Sequence, residues 1–332
     1  MLRVLATAGL LVFGTLWGTL TRLGLVALNT YDGQSITPLI WVQGVGCLVM
    51  GWTTHPRNRA ALEASYAPAY TMVTTGYCGS CTTLSSWLFD VFAAFSNRHH
   101  YQRHGLHNVM DALTQTAATL CVSLASLAAG RALAEAIALD MLWTPQRSTK
   151  SRLRAHAADV GSIALGAVFW AGAALLCGLY APFRSVTYAL VLSPLGTLLR
   201  WALATLNNRP GGSPHHVLDV ARWPLGTLAA NMLSTAVYCG AETGQYVGRA
   251  TGPSSLGAHK TDACHALSGL QQGFCGALST ISTLATELTS MQPRRAAFAY
   301  LFVTWTVGVL LAILLVGAPW WTLGLQGGCT AG

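Results

Sequence analysis

Charged side chains are scarce in this chain of 332 residues: Asp, Glu, Lys and Arg together make up only 9% of it. Soluble domains carry about 25% of these four types, so the composition excludes a protein that folds in water alone. Hydrophobic residues account for 52%, and the mean hydropathy is +0.46. The chain is therefore expected to be an all-α integral membrane protein, because a helix satisfies its backbone polar groups internally in lipid.

The sequence also lacks the patterns of an enzyme or a metalloprotein. Its nine cysteines are dispersed mostly through apolar segments, which indicates no disulfide framework, and the CxxC pair Cys78/Cys81 stands alone. A histidine cluster in one loop is typical of a solvated loop rather than a metal site; its members are His99, His100, His104 and His107. No paired acid and base or nucleophile accompanies it, so a membrane enzyme is the least favoured interpretation.

Nine apolar stretches are long enough to cross a bilayer, which takes about 20 residues in a helix. They lie near residues 4–28, 37–53, 69–95, 108–139, 159–181, 184–206, 223–240, 265–289 and 296–317. The net charge of +8 is scattered over short loops rather than gathered in a stripe, so no nucleic-acid binding is expected. Most of the basic residues fall on loops of the same side as the N-terminus, which predicts a cytoplasmic N-terminus and an external C-terminus.

Two segments of the chain repeat each other without a gap. Gly76–Asp90 reads GYCGSCTTLSSWLFD and Gly273–Glu287 reads GFCGALSTISTLATE. Two shorter pairs of segments keep the same order: Gly18–Arg22 with Gly196–Arg200, and Trp41–Gly46 with Ala229–Ser234, which aligns Gln43 with Asn231. Clusters of glycine and hydroxyl residues free backbone groups that hydrocarbon cannot satisfy, so matched segments of this kind predict broken helices that line a site.

The number of spans indicates how the two copies are oriented. Two directly joined four-span repeats would have the same orientation in the membrane, whereas one additional helix inverts the second. The stretch 159–181 has no counterpart in either half and is the predicted linker. We expect an inverted tandem repeat of two four-helix halves with nine spans, divided into a first repeat (1–140), a linker with the inverting helix (141–182), a second repeat (183–320) and a C-terminal tail (321–332).

In this order the motifs resemble those of the Fluc/CrcB fluoride channels and their fused eukaryotic relatives, the FEX fluoride exporters. The family pattern has an early GxxxR, a Pro-x-Gly-Thr followed by an Asn, and a Gly- and hydroxyl-rich third span that ends on an acid. Pro224–Thr227, Asn231 and Gly273–Glu287 reproduce this pattern in the second half. The resemblance covers roughly residues 10–317 and implies a fluoride channel in the lipid bilayer, in which one chain mimics an antiparallel dimer as a single-chain pseudo-dimer.

The resemblance further implies a structural sodium ion between the halves, held by backbone carbonyls at the two helix breaks. Carried over by motif position, the residues that hold it are Gly79, Thr82, Gly276 and Ser279. Oxygen ligands suit a hard cation. The residues alone also allow a plainer interpretation, in which the glycines only permit close helix packing.

Fluoride is small and strongly hydrated, so a pathway for it needs hydrogen-bond donors that replace its water. Asn231 is the best candidate, and Gln43 stands at the equivalent place with a longer side chain that misplaces the amide. In the family, two phenylalanines flank the ion path. Their positions are occupied here by Leu84 and Trp87 in the first half and by Ile281 and Leu284 in the second. The remaining predicted pathway residues are the hydroxyls of Thr83, Thr280, Ser85, Ser282 and Thr304. These departures predict that the two pathways have diverged and that the Asn231 pathway conducts.

Four charged residues stand at equivalent positions of the two copies. Asp90 and Glu287 are expected to be vestibule acids or proton-binding groups, because carboxylates near a span are costly and usually functional. An ordinary acid at a helix end is the alternative. Arg22 and Arg200 are expected to be structural arginines that pair with carbonyls or acids.

The leading functional prediction is a passive, fluoride-selective channel that lets cytoplasmic fluoride leave across the plasma membrane. The alternative is a proton-coupled transporter of fluoride or another small anion that uses Asp90 or Glu287.

Overall fold

The computed structural model describes residues 1–32, 36–139, 152–207, 223–250 and 257–324, which form helices and no strands. The α-helices are α1 (Leu2–Leu28), α2 (Leu39–Thr54), α3 (Pro56–Thr71), α4 (Gly79–Cys81), α5 (Ser85–Ser96), α6 (Gly105–Ala136), α7 (Arg152–Leu179), α8 (Arg184–Leu203), α9 (Leu225–Ala250), α10 (Gly257–Gly269), α11 (Gly276–Leu278), α12 (Ile281–Ser290), α13 (Arg294–Ala312) and α14 (Ala318–Leu323). Five helices of the described part are long and apolar enough to cross a membrane, and α2 is a shorter apolar helix. The all-helical membrane class is thereby confirmed.

The repeated motifs pair α1 of the first half with α8 of the second and α2 with α9, and α6 corresponds to α13 by its place after the third segment. Helix α7, the predicted linker, packs along α1 at small residues. A Cβ on Gly9 would overlap the backbone at Ser162, and a Cβ on Gly166 would overlap the Gly9 carbonyl. Close approach at small residues is a usual mode of helix packing in membranes. The linker also contacts the second half, because Trp170 Nε1 donates to the Val191 carbonyl of α8 at 2.9 Å.

Both copies of the repeated segment are broken at the same place. In the first, a π-helical stretch, Met72–Cys78, leads into α4, and Thr82 then adopts extended dihedrals (φ −85°, ψ 148°) before α5 begins. In the second, Leu270–Cys275 is π-helical, and Ser279 is extended after α11 (φ −86°, ψ 157°). A π-helical turn often marks a functional site, and a break inside a membrane protein must be covered by protein.

The core of the molecule is built by both halves together. Leu84 and Trp87 of the first half lie in one hydrophobic cluster with Ile281 and Leu284 of the second, and none of the four is more than 1% exposed. Each such side chain contributes about 1.5–3 kcal/mol by burial, so separating the halves would expose much of the core. The four positions predicted to flank an ion path are therefore packed core residues in this structure.

Candidate functional site

The two helix breaks face each other across the centre of the molecule through a cluster of fully buried hydroxyl groups. The hydroxyl of Thr82 lies 3.1 Å from that of Ser282, and the hydroxyl of Ser279 lies 3.0 Å from that of Ser85. Thr82 corresponds to Ser279 in the repeat, and Ser85 corresponds to Ser282, so the two contacts are the same contact made in both directions. Equivalent positions of the two copies therefore make reciprocal contacts at this place.

Two further hydroxyl contacts between the breaks follow the same rule. Thr82 Oγ1 lies 3.2 Å from Thr280 Oγ1, and Thr83 Oγ1 lies 3.2 Å from Ser279 Oγ. The structure thus brings the predicted hydroxyls of the third segments together at one place. Thr304 is separate from them, because its hydroxyl donates to the Tyr300 carbonyl of its own helix at 2.7 Å.

Each of the two buried arginines reaches the third segment of the opposite half. Arg22 lies over Gly276 and donates to the Gln272 carbonyl, while Arg200 lies over Gly79 and donates to the Thr75 carbonyl at 2.7 Å. A Cβ on either glycine would overlap the guanidinium. The arginines thus bind backbone carbonyls, and the glycines make room for them.

The two central amides differ in what they bind. Asn231 is completely buried and accepts a hydrogen bond from the Thr280 backbone N–H at 2.9 Å, but its Nδ2 group has no partner. Gln43 is equally buried, and its Nε2 donates to the Thr83 carbonyl at 2.6 Å while its Oε1 accepts from the Thr83 N–H at 3.3 Å. The extra methylene of glutamine lets the amide double back onto the peptide at the break. Of the two amides, only Asn231 keeps an unpaired donor.

These amides lie in two separate helix bundles. Asn231 is on α9, which packs with α13 of its own half and α5 of the other. Gln43 is on α2, which packs with α6 and with α12 of the other half. We call these the Asn231 bundle and the Gln43 bundle. Two unpartnered buried hydroxyls, those of Thr119 and Ser123, are on α6 of the Gln43 bundle.

The two predicted acids both bind hydroxyl groups. Glu287 accepts from Thr227 Oγ1 at 2.5 Å and from the Tyr300 hydroxyl at 3.1 Å. Asp90 accepts from Thr37 Oγ1 at 3.4 Å. In each half, therefore, the acid lies near the start of the second helix of that half.

A cavity of about 400 Å³ opens beside Asp90. Its lining also includes Thr37, Tyr101, Asp111 and His99, one of the clustered histidines. No group of His, Cys, Asp and Glu side chains in the described part of the chain is arranged to hold a metal ion.

One partly buried ion pair was not predicted from the sequence. Arg98, just after α5, bonds Glu242 on α9 at 2.9 Å, although 144 residues separate them. Neither residue belongs to a repeated motif. The only sequence signal is that Glu242 stands eleven residues after Asn231, which is close to three full turns of a helix.

Comparison with known proteins gives the following similarities. The chain matches the family described as CrcB-like protein, Camphor Resistance (CrcB), over residues 9–131 and 187–318, and the unmatched stretch between them contains α7. Fluoride export protein 1 of Candida albicans is 29% identical over 95% of this chain and 80% of its own length. Fluoride export protein 1 of Neurospora crassa is 33% identical over 96% of this chain and 68% of its own length.

A bacterial relative matches over a shorter stretch. Fluoride-specific ion channel FluC 2 of Bifidobacterium longum is 36% identical over 36% of this chain and 58% of its own length. No solved structure matches the chain.

Proposed function

Because the chain belongs to the CrcB family, we propose that it exports fluoride across a cell membrane, as a passive channel in which the Asn231 bundle forms the conducting pathway. The names of its relatives support fluoride as the transported ion. The observation that carries the pathway assignment is the unpartnered Nδ2 of Asn231.

The unpaired NH₂ group of Asn231 carries a free-energy cost. A buried donor without a partner costs about 1–3 kcal/mol, and Asn231 is 0% exposed. An anion that has lost its hydration water needs hydrogen-bond donors. A fluoride ion that passes Asn231 would accept a hydrogen bond from Nδ2, which gives the ion a donor and the amide a partner. Gln43 cannot offer the same site without breaking its two bonds to Thr83.

The proposal includes an inverted, nine-span pseudo-dimer. Its support is the reciprocity at the centre: Arg22 reaches Gly276 while Arg200 reaches Gly79, and the hydroxyl contacts are likewise exchanged. Two halves related by an axis in the membrane plane would make such contacts. Export of cytoplasmic fluoride by a passive channel requires a location in the plasma membrane.

The proposal also includes a sodium ion between the breaks. Thr82 and Ser279 are extended, so their carbonyls leave the helix direction where the halves meet, and their hydroxyls lie in the same cluster. These neutral oxygens fit a hard monovalent cation. Gly79 and Gly276 fit less well, because a guanidinium lies over each and its charge repels a cation. The bound ion would join the two halves through oxygens of Thr82 and Ser279.

Exchange of the cation tests the sodium site. Purified protein in detergent should unfold at a lower temperature when sodium is replaced by N-methylglucamine, because an ion that binds only the folded state stabilises it. Equal unfolding temperatures over a range of sodium concentrations would contradict the site. Fluoride efflux can be measured in the same two media.

A proton-coupled transporter remains the second candidate, because Glu287 and Asp90 bind hydroxyls rather than a basic side chain at the bundle mouths. Liposomes that contain the purified protein separate the two functions. A passive channel should release fluoride, but not chloride, when valinomycin lets potassium follow, and without a matching movement of protons. Stoichiometric proton flux, followed with an internal pH dye, would favour coupling, and release of neither anion would contradict fluoride export itself.

A further inference from the structure

The Arg98–Glu242 pair joins the two halves in a largely buried position. The side chains are 12% and 15% exposed, and the guanidinium also donates to the Tyr246 hydroxyl. It lies over the rings of Phe89, at 5.1 Å, and Tyr246, at 4.8 Å. Arginine on an aromatic face in a desolvated place is a strong contact, so this is a built site rather than a chance surface pair.

The carboxylate of Glu242 is fixed on its other side as well. Gln271, from the π-helical stretch of the second half, donates from Nε2 to Glu242 Oε2 at 2.7 Å and to the Tyr238 carbonyl at 3.2 Å. The Tyr246 hydroxyl lies 3.3 Å from Glu242 Oε1. Gln271 and Tyr246 therefore hold the carboxylate of Glu242 against the guanidinium of Arg98.

The pair lies in line with Asn231. Asn231, Tyr238 and Glu242 are spaced by seven and then four residues on α9, and at 3.6 residues per turn they share one face of the helix. Tyr238 is 7% exposed and its ring lies 5.4 Å from that of Phe89 on α5. The same stripe of α9 thus leads from the free amide, past two aromatic rings, to the ion pair about 16 Å away along the helix.

Arg98 has unused capacity to bind an anion. Its Nη1 is buried and has no hydrogen-bond partner, although Nη2 bonds Glu242 and Tyr246. A guanidinium with a free N–H binds a small anion by a charge-assisted hydrogen bond. In the Gln43 bundle, the repeat places Thr54 at the position of Glu242, and its hydroxyl bonds its own helix.

We propose that Arg98 is an anion-binding residue at the end of the Asn231 pathway, and that Glu242 gates it by occupying the guanidinium until a fluoride ion displaces the carboxylate. This inference rests on the proposed function, since it assumes that fluoride passes Asn231. It assigns opposite effects to the two partners: the arginine attracts the ion and the glutamate competes with it.

Single neutral variants in the liposome efflux assay test the proposal. Glu242→Gln preserves the shape and the contact with Gln271 but removes the competing charge, so efflux should rise about fivefold, the effect of no longer breaking one partly exposed ion pair. Arg98→Gln leaves an unpaired carboxylate at the mouth, which repels fluoride, so efflux should fall by about tenfold. Asp262→Asn is the matched control, because it breaks the ion pair with Arg184 away from this stripe, and its efflux should equal that of the unmodified protein.

The outcomes separate gating from assembly. If the pair only holds the halves together, both variants will lower efflux and thermal stability in parallel, which overturns the proposal, as does an unchanged rate in Glu242→Gln. Should Arg98→Gln not fold, Arg98→Lys retains the charge and should fold with intermediate efflux, and Glu242→Gln remains decisive. If the unmodified protein releases no fluoride, the proposed function fails; if it releases fluoride and Glu242→Gln does not differ, only the gate fails.

Discussion

At the scale of single residues, the two halves differ by one methylene group at the central amide, which is Gln43 in the first half and Asn231 in the second. Gln43 reaches back to both polar groups of the Thr83 peptide, whereas Asn231 reaches only the Thr280 N–H and keeps its NH₂ unpaired. An NH₂ group that is already hydrogen-bonded cannot replace the hydration water of an ion. Asn231 can therefore bind a passing anion, whereas Gln43 cannot do so without losing its bonds to Thr83.

The first prediction follows from this difference. Asn231→Ala removes a donor from the proposed ion path, and a hydrogen bond to a charged group is worth about 1.5–3 kcal/mol, which corresponds to about a tenfold to hundredfold loss of flux if it acts on the barrier. Gln43→Ala should cost much less. Fluoride efflux at matched amounts of protein measures both, and a selective loss with Gln43→Ala would show that the Gln43 bundle conducts instead.

A second prediction concerns Glu287. The variant Glu287→Gln can still accept from Thr227 or Tyr300, but it can no longer carry a proton. A passive channel should then retain fluoride efflux within about an order of magnitude, because electrostatic tuning at a mouth changes rates without abolishing them. Loss of fluoride movement together with loss of an associated proton signal would instead support the coupled transporter.

At the scale of elements, the broken third segments allow each half to receive an arginine from the other. The π-helical turns before the breaks place Gly79 and Gly276 where a guanidinium covers the α-carbon. Since each arginine is buried and bonds a carbonyl of the π-helical stretch, we expect the break and the arginine to depend on each other.

The third prediction tests this dependence. Gly276→Ala should destabilise the protein by about 1–3 kcal/mol, the usual cost of overpacking a closed site, because the new Cβ overlaps Arg22. Gly178→Ala is the control, since nothing lies within 4 Å of its Cβ, and it should be neutral or slightly stabilising. Thermal unfolding in detergent measures both changes. Equal stability of Gly276→Ala and the unmodified protein would mean that the arginine does not need this space.

At the scale of the whole molecule, the proposed inversion has a direct consequence for accessibility. His100 follows α5 and Gln292 follows α12, and both are exposed. The fourth prediction is that His100→Cys and Gln292→Cys react with a membrane-impermeant thiol reagent from opposite sides of the membrane, with His100→Cys accessible from outside. Labelling of both from the same side, above the background of the native cysteines, would contradict the inverted pseudo-dimer.

The sequence by itself determined the membrane class, the duplication and the places where the third segments break, because hydropathy, repeated motifs and glycine–hydroxyl clusters are local properties of the chain. It also paired Asn231 with Gln43 and Arg22 with Arg200. The hydrogen-bond partners of these residues were decided by the tertiary structure. The Gln43 amide, for example, bonds the Thr83 peptide only because the break turns that peptide toward it. The Arg98–Glu242 pair is the clearest case: two residues 144 positions apart become partners only when the second half packs against the first.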